Sequence, residues 1–490
     1  MEKYDICIIG GGPAGYAAAM RAIDFGERVL LIEKDKIGGA GLYNGVMSSK
    51  TMWEYSQKIA AIRSEIPDYE ASFEHLMGVV NDAIFERKFQ MNTHIKLLEN
   101  ETHSKLFSHE KGFGKLIGKN EVLIKKGEEE KIIYADRIIL ATGSRPRKLP
   151  SIPIDEKIIV TSDGISNFEN FPKSMVILGA GVIGCEFATI FSNFGKTKVY
   201  LIDKADRILP FEDDDISSTV TENLEKNGAI IHKNSSLVRM EIVDGQVEYE
   251  LAYKDGTKEV LRVEKALVSI GRVANTEDLG LENVGLKINE RGGVEENDTQ
   301  SAIPNIYVVG DLSADIALVN VGEREGRHAV VKMHKPDLKP VPYRNISTIM
   351  FLNPEVALVG MGEQEARQKN IPIKVVKMDY SCIARAIAMR KTNGFFKIIV
   401  TNDDEMKVLG MRAVGEHASS AIQAVALLIS MNKGIQELAD MVHPHPSITE
   451  GVQECLRMLL GKSIYKSSVF KDKLKCYKCE NGVCTPLENL

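Results

Sequence analysis

The chain has 490 residues, more than one hydrophobic core usually supports, so its length argues for two to four domains. Hydrophobic residues make up 44% and charged residues 27%, which excludes disordered and collagenous classes, and a net charge of −6 offers no basic field for a nucleic-acid partner. Seven cysteines are too few and too odd in number for a secreted disulfide framework. No stretch reaches about 18 uninterrupted apolar residues, so no membrane span is expected. The start, Met1-Glu2-Lys3-Tyr4-Asp5, lacks the basic and apolar regions of a signal peptide, so the expected location is the cytoplasm.

In chain order, residues 6–9 form a short apolar run that reads as a strand. It ends in Gly10-Gly11-Gly12-Pro13-Ala14-Gly15, after which residues 17–23 read as a helix. A second strand, residues 29–32, ends in Glu33. Residues 69–101 predict a long helix, and residues 121–140 short strands around a Lys/Glu turn. The opening grammar then returns: a strand at 175–178, Gly179-Ala180-Gly181-Val182-Ile183-Gly184, a helix at 186–194, and a strand at 199–202 ending in Asp203. Gly10, Gly12 and Gly15 map onto Gly179, Gly181 and Gly184 with one constant offset of 169 residues. Further on, residues 394–400 read as a good strand, and Cys476, Cys479 and Cys484 crowd into the last fifteen residues.

The repeat points to two dinucleotide sites. The first glycine of each motif permits a tight turn, the second lets the backbone approach a pyrophosphate, and the third lets helix and strand pack closely. The acid about 20 residues on accepts hydrogen bonds from a ribose diol. Asp203 favours NAD, because a carboxylate repels a 2′-phosphate, while nearby Lys204 and Arg207 keep NADP possible. Two such sites in one chain suggest electron traffic between a flavin and a nicotinamide.

Collinear motifs then make a resemblance specific. They are the two glycine motifs with Glu33 and Glu186, Gly38-Gly39 through Ser49-Lys50, Ala141-Thr142-Gly143-Ser144, Gly271-Arg272, the run Pro304 to Gly310-Asp311, Asn353-Pro354, and His445-Pro446-Ser447-Ile448-Thr449-Glu450. With them the chain resembles the pyridine nucleotide-disulfide oxidoreductases, in particular the dihydrolipoamide dehydrogenases, over about residues 1–470. The resemblance implies an α/β fold with two Rossmann-like dinucleotide-binding domains, for FAD and NAD, plus a C-terminal α+β dimerisation domain. The implied boundaries are 1–147 and 275–345 for a discontinuous FAD domain, 148–274 for the NAD(P) domain, 346–470 for the interface domain and 471–490 for a cysteine-containing tail. It also implies a homodimer and a small-molecule electron acceptor.

Residue by residue, the resemblance gives Glu33, Thr142, Gly143, Asp311 and Leu318 to FAD, with the helix that follows Leu318 placing partial positive charge by the flavin. Gly271 joins the cofactor-binding set. Lys50 and Glu186 match a family ion pair beside the flavin. The bland alternatives are a solvated helix lysine for Lys50 and a helix-start acid for Glu186, and collinearity with the other motifs favours the ion pair. His445 matches an acid-base residue supplied by the partner subunit and Glu450 the acid that orients it; an imidazole with a pKa of about 6.5 suits both directions of proton transfer. Ser447 and Glu450 also fit a capping box with Ser447 as N-cap.

The resemblance breaks at one place. Family reductases carry two cysteines five positions apart in the segment that here runs from Gly38 to Lys50, and those positions hold Gly41 and Val46. Three readings of the terminal cysteines stay open: a replacement redox relay on an extended tail, a thiolate metal site, or an inert and mobile terminus. The implied chemistry is NADH reduction of FAD followed by transfer to a quinone-type acceptor, or to a disulfide or metal ion through the tail. A non-catalytic or redox-sensing flavoprotein is the alternative.

Overall fold

The computed structural model describes residues 1–43 and 45–487 and divides into two compact units, Met1–Phe171 with Leu267–Val341, and Pro172–Ala266 with Pro342–Leu490. The first unit is built on a sheet whose central strand is Glu2–Ile9. Val29–Glu33 and then Phe107–Lys111 lie parallel to it on one side, and Glu129–Leu140 on the other. Ile306–Val308 joins Glu129–Leu140 in parallel, and Glu121–Lys126 pairs with it antiparallel. The central strand is apolar without alternation because both of its faces are covered: Ile6 and Ile8 pack into one core, Cys7 and Ile9 into another.

Helix Pro13–Asp24 covers the Ile6/Ile8 face and crosses helix Val319–His334 at close range. Small residues make that approach possible, since a Cβ on Gly326 would stand 2.2 Å from the Ala14 carbonyl oxygen. The long helix expected at 69–101 runs over Phe73–Leu97. It starts where the Ser72 side chain accepts the His75 N–H at 3.2 Å and ends in a wider turn over Leu98–Thr102.

The second unit repeats the strand-turn-helix grammar. Ser174–Leu178, Lys198–Ile202 and Ile230–His232 run parallel, and helix Val182–Phe194, apolar on nearly all sides, is buried along its length. A seven-stranded antiparallel sheet follows, in the order Ser347–Met350, Val356–Gly360, Val408–Val414, Phe395–Thr401, Ile373–Asp379, Leu474–Glu480, Val483–Pro486. Helices Gln423–Met431 and Thr449–Leu459 cover one face of it.

The last two strands alter the expectation of a mobile or extended tail: residues 474–486 are a hairpin zipped onto Ile373–Asp379, with Cys476 opposite Val376 and Cys479 opposite Ile373. The cause is legible afterwards. Leu474 and Cys476 bury against the helical face while Tyr477 and Cys479 pack on the other, so the hairpin hides apolar atoms on both sides.

A buried charge cluster fastens the sheet to the nucleotide-type half of the second unit. The Lys397 ammonium, only 2% exposed, lies 2.7 Å from carboxylate oxygens of both Asp213 and Asp215 at the start of helix Asp214–Lys226, and Arg412 pairs with Glu212 at 2.9 Å. Burial works to raise the two aspartates, but Lys397 outweighs it together with the Gln364 N–H and Arg412 at Asp213 and with Lys377 at Asp215, and both carboxyls are held below their usual range. Burial likewise works against the charge on Lys397, and Asp215 and Asp213 together push its pKa up instead. The depressed acids contribute stability above their unfolded pKa, lost as pH falls through the folded values; the raised lysine contributes below its unfolded pKa, lost as pH rises through its folded one. The cluster therefore holds across the whole neutral range and fails first in acid, below the ordinary aspartate value of about 3.9. Lys397→Ala removes the ion-pair partner of the buried Asp213 carboxylate, while Asp215 keeps Lys377 at 2.8 Å, and is expected to cost about 3–5 kcal/mol, read as a lower urea midpoint, with acid unfolding moved to higher pH.

Candidate active site

One cleft of about 820 Å³ opens in the first unit, over the carboxyl ends of its parallel strands. Gly10, Gly12, Glu33, Thr142, Gly143, Asp311 and Leu318, all expected from sequence to hold a dinucleotide, line it together. Gly15 does not reach it. It lies beneath the turn, where a Cβ would sit 1.9 Å from the Gly10 carbonyl oxygen, whereas a Cβ on Gly12 meets nothing within 4 Å. The second glycine thus leaves room for a ligand, and the third for the protein's own backbone.

Glu33 does more than await a ribose. One carboxylate oxygen accepts the Gly11 N–H at 2.7 Å and the other the Asp35 N–H at 2.8 Å, which ties the end of the second strand to the glycine turn. The second unit repeats the arrangement. Asp203 accepts the N–H groups of Ala180 at 2.8 Å and Ala205 at 2.9 Å, and Gly179 takes a φ of 102° where Gly10 takes 110°. Gly181 starts helix Val182–Phe194, and its absent Cβ again leaves open space, while Gly184 is buried in the first turn of that helix.

Around Asp311 the structure adds residues that sequence reasoning missed. The Ser144 hydroxyl donates to the Asp311 carboxylate at 2.6 Å, and Arg272 donates to the Ser144 hydroxyl and carbonyl at 2.7 and 2.8 Å. The buried Glu325 carboxylate accepts the Gly310 N–H at 2.7 Å and so sets the turn that presents Asp311. Ser144 and Arg272 each follow a motif glycine and were within reach of the reading; Glu325, mid-helix among charged neighbours, gave no signal. Gly271 itself does not line the cleft. Its φ of 101° turns the chain so that Arg272 does, which makes it a support for the site rather than a cofactor contact. Thr142 and Asn275 exchange side-chain to backbone hydrogen bonds at 2.8 Å, fastening the crossover beside Gly143.

Gly41, in the single helical turn Gly39–Leu42, and Tyr43 also line this cleft. A Cβ at Gly41 would stand 2.7 Å from Pro13 Cγ, so a side chain there requires Pro13 to give way. Val46 is exposed at the start of helix Val46–Glu65, in which Lys50 is half-buried. The only cysteine of this unit, Cys7, is buried in the central strand. Burial raises the Tyr43 phenol, which keeps it a hydrogen-bond donor.

In the second unit Glu186 is buried in the first turn of helix Val182–Phe194 and accepts the Phe351 N–H at 3.0 Å. His445 Nδ1 lies 2.8 Å from a Glu450 carboxylate oxygen, and the other oxygen accepts the Ser447 N–H at 2.7 Å. Burial works to raise Glu450, but the Ser447 N–H and His445 outweigh it and hold the carboxyl below its usual range. An ionised carboxylate only accepts, so Nδ1 donates to Glu450 and Nε2 points away from it on a side chain that is 72% exposed. The expected capping box is half realised. Helix Thr449–Leu459 starts one residue later than Ser447 as N-cap would require, with Ile448 in that position, yet Glu450 still reaches back to the Ser447 N–H.

Cys476, Cys479 and Cys484 are not brought together as a set. Cys476 is a free, buried thiol pushed up to about 12, while Cys479 and Cys484 are joined as a disulfide. Adjacent positions of a strand point to opposite faces, so residues three apart cannot share a metal or a bond.

The first cleft fits an extended dinucleotide: room at Gly12, a helix N-terminus behind it, an acid at Glu33 and a polar end at Asp311. Gly12→Ala is expected to fold with an unchanged thermal midpoint but to retain much less flavin after gel filtration, read by flavin absorbance per chain. Gly15→Ala, which drives a methyl into the Gly10 carbonyl, is expected to lower the midpoint itself.

Comparison with known proteins agrees with this geometry. Residues 4–326 match the family described as pyridine nucleotide-disulphide oxidoreductase, and residues 346–456 match its dimerisation domain. The chain is 34% identical over 453 residues to the dihydrolipoyl dehydrogenase of Chlamydia pneumoniae, covering 92% of this chain and 95% of that one. It is 30% identical over 480 residues to a dihydrolipoyl dehydrogenase of Bacillus subtilis, covering 94% and 99%. Among solved structures it is similar to LpdA from Mycobacterium tuberculosis, with a TM-score of 0.85 at 25% identity, and to the copper(II) complex of the HOCl-induced flavoprotein disulfide reductase RclA from Escherichia coli, with 0.83 at 26%; each covers 94% of this chain and 100% of the other. Among the described residues no helix is long and apolar enough to cross a membrane. A dinucleotide cleft over a parallel sheet, its clamp repeated in a second glycine turn and followed by a dimerisation domain, places this chain in the pyridine nucleotide-disulphide oxidoreductase family, whose members use FAD and NAD(P)H.

Proposed function

We propose that this chain, acting as a homodimer, passes electrons from NADH through FAD to a planar, proton-accepting acceptor of the quinone class, without a redox disulfide at positions 41 and 46. The observation that carries this reading is the lining of the cleft, where Gly41 and Tyr43 stand and no lining residue bears sulfur. A glycine offers no nucleophile, and Cys7, the one thiol in that unit, is held by burial as a neutral group inside a strand.

Bound FAD supplies the two-electron chemistry, accepting hydride from the nicotinamide and releasing electrons to the acceptor. Glu33 and the amides at Gly12 would hold the adenosine and pyrophosphate part, and Asp311, fixed by Ser144, the polyol chain. Leu318 caps the sixteen-residue helix Val319–His334, whose N-terminus lines the cleft and favours negative charge there. Lys50 and Glu186 keep the family's role beside the nicotinamide, and Asp203 its preference for NAD. Tyr43, a neutral phenol, can donate a hydrogen bond to an acceptor carbonyl. His445, carried over as the partner subunit's contribution, holds a proton at Nδ1 against Glu450 and exchanges one with the acceptor at Nε2. The hairpin supports the quinone reading over a tail relay, since Cys476 is locked in a core and Cys479 and Cys484 lie in a paired strand.

Anaerobic mixing with NADH is expected to bleach the flavin; a soluble quinone then restores its colour, and oxidised lipoamide does not. Absence of bleaching, or lipoamide turnover as fast as quinone turnover, overturns the reading. His445→Gln is expected to lower quinone turnover by about 100-fold while leaving the bleaching rate unchanged. Because Glu450 is held below its usual range, its orienting contact is present above that pKa and lost as pH falls through it. The acid limb of turnover is therefore expected below the ordinary carboxylate range of about 4.3, and Glu450→Gln should remove it.

A further inference from the structure

The C-terminal hairpin carries chemistry that the flavin cleft does not use. Cys479 and Cys484 are opposite one another across its two strands and are joined as a disulfide. Beside them stands Glu363, the first residue of helix Glu363–Gln368, and its carboxylate oxygen and the two sulfurs all lie within 4.8 Å of one another. Each part of this group is fixed from outside. Tyr477 donates to a Glu363 carboxylate oxygen at 2.8 Å, and the Lys397 ammonium lies 3.5 Å from the same oxygen, so the carboxylate is held in place. Cys479 is 3% exposed and packs against Ala366, Ile373, Val375 and Ile399, which leaves an apolar floor under the sulfur. Cys484 faces solvent, which leaves a way in.

We propose that reduction of the Cys479–Cys484 bond opens a three-donor site, two thiolates and the Glu363 carboxylate, for a soft or borderline divalent cation such as Zn²⁺ or Cd²⁺. A small-molecule dithiol supplies two electrons and two protons and closes to its own disulfide; the bond between the two sulfurs breaks and two thiols form. Binding of the cation then releases both protons, because thiolates and not thiols are the ligands. Sulfur donors select soft cations over Mg²⁺ or Ca²⁺, and three protein donors leave a fourth tetrahedral position open on the exposed side. The site is closed while the disulfide stands, so redox state decides whether it exists. Cys476 takes no part, since it faces the opposite side of the sheet.

The test uses the full flavin-loaded chain, either oxidised or reduced with a dithiol that is then removed without air. Cd²⁺ is titrated by its thiolate charge-transfer absorbance and Zn²⁺ by competition with a chromophoric chelator. One equivalent is expected to bind the reduced chain and none the oxidised chain. Cys484→Ser, at an exposed position, should abolish binding, and Glu363→Gln should weaken it about tenfold with the charge-transfer band retained. No binding by the reduced chain, equal binding in both redox states, or one equivalent retained in Cys484→Ser overturns the site. Unchanged affinity in Glu363→Gln overturns the carboxylate as a ligand. None of these readouts depends on which acceptor the flavin serves.

Discussion

The glycine turns of both units depend on one electrostatic arrangement: a carboxylate at the end of the second strand closes onto backbone N–H groups of the turn. A turn with φ near 100° at its first glycine aims amides at a space meant for phosphate, and without an acceptor those amides are costly to hold in place. Glu33 and Asp203 supply it, each with one oxygen on the turn and the other on the amide two residues beyond itself. A carboxylate has about four lone-pair directions, so two backbone bonds leave capacity for a ribose diol. On the proposed reading the acid that recognises the cofactor is also the acid that shapes the loop, so a substitution there changes both.

The second unit solves a different problem, how to hold a nucleotide-type domain against an antiparallel sheet. Apolar burial alone is non-directional. Directional contacts come from Lys397 and Arg412, which rise from the sheet strands into Asp213, Asp215 and Glu212. Glu363 extends the network to Tyr477, so the terminal hairpin is linked through three residues to the start of helix Asp214–Lys226. A buried lysine with two carboxylates costs desolvation that packing would not, and what it provides is a defined docking geometry rather than raw stability.

The α/β class, the two glycine-turn units, the cleft-lining residues Glu33, Thr142, Gly143 and Asp311, and the His445–Glu450 contact were legible in the sequence because each belongs to a short motif whose spacing is set by local geometry. Glu325 was not, because its role arises only when a helix from residue 319 onward packs under a turn at residue 310. Lys397 was hidden for a related reason. In the run 394–400 it reads as the polar member of a strand, and nothing local says that three acids from elsewhere in the chain surround it. The place of the terminal cysteines was not legible, because nothing local to residues 471–490 says that they form a hairpin on strand Ile373–Asp379, in which Cys476 and Cys479 point to opposite faces.

Cys476, enclosed by the helical face of the sheet with its thiol pushed up to about 12, has almost no thiolate at neutral pH and is a small hydrophobe in practice. Cys479 and Cys484 lie on the other face beside Glu363, joined across the last two strands at the edge of the sheet. The first unit meanwhile has one thiol, in the middle of its central strand. A chain built this way keeps flavin chemistry and cysteine chemistry in different units, and loss of either leaves the residues of the other intact. On the proposed reading, selection of an electron acceptor falls to shape and hydrogen bonding at Gly41 and Tyr43, and any response to thiols or soft metals falls to the hairpin.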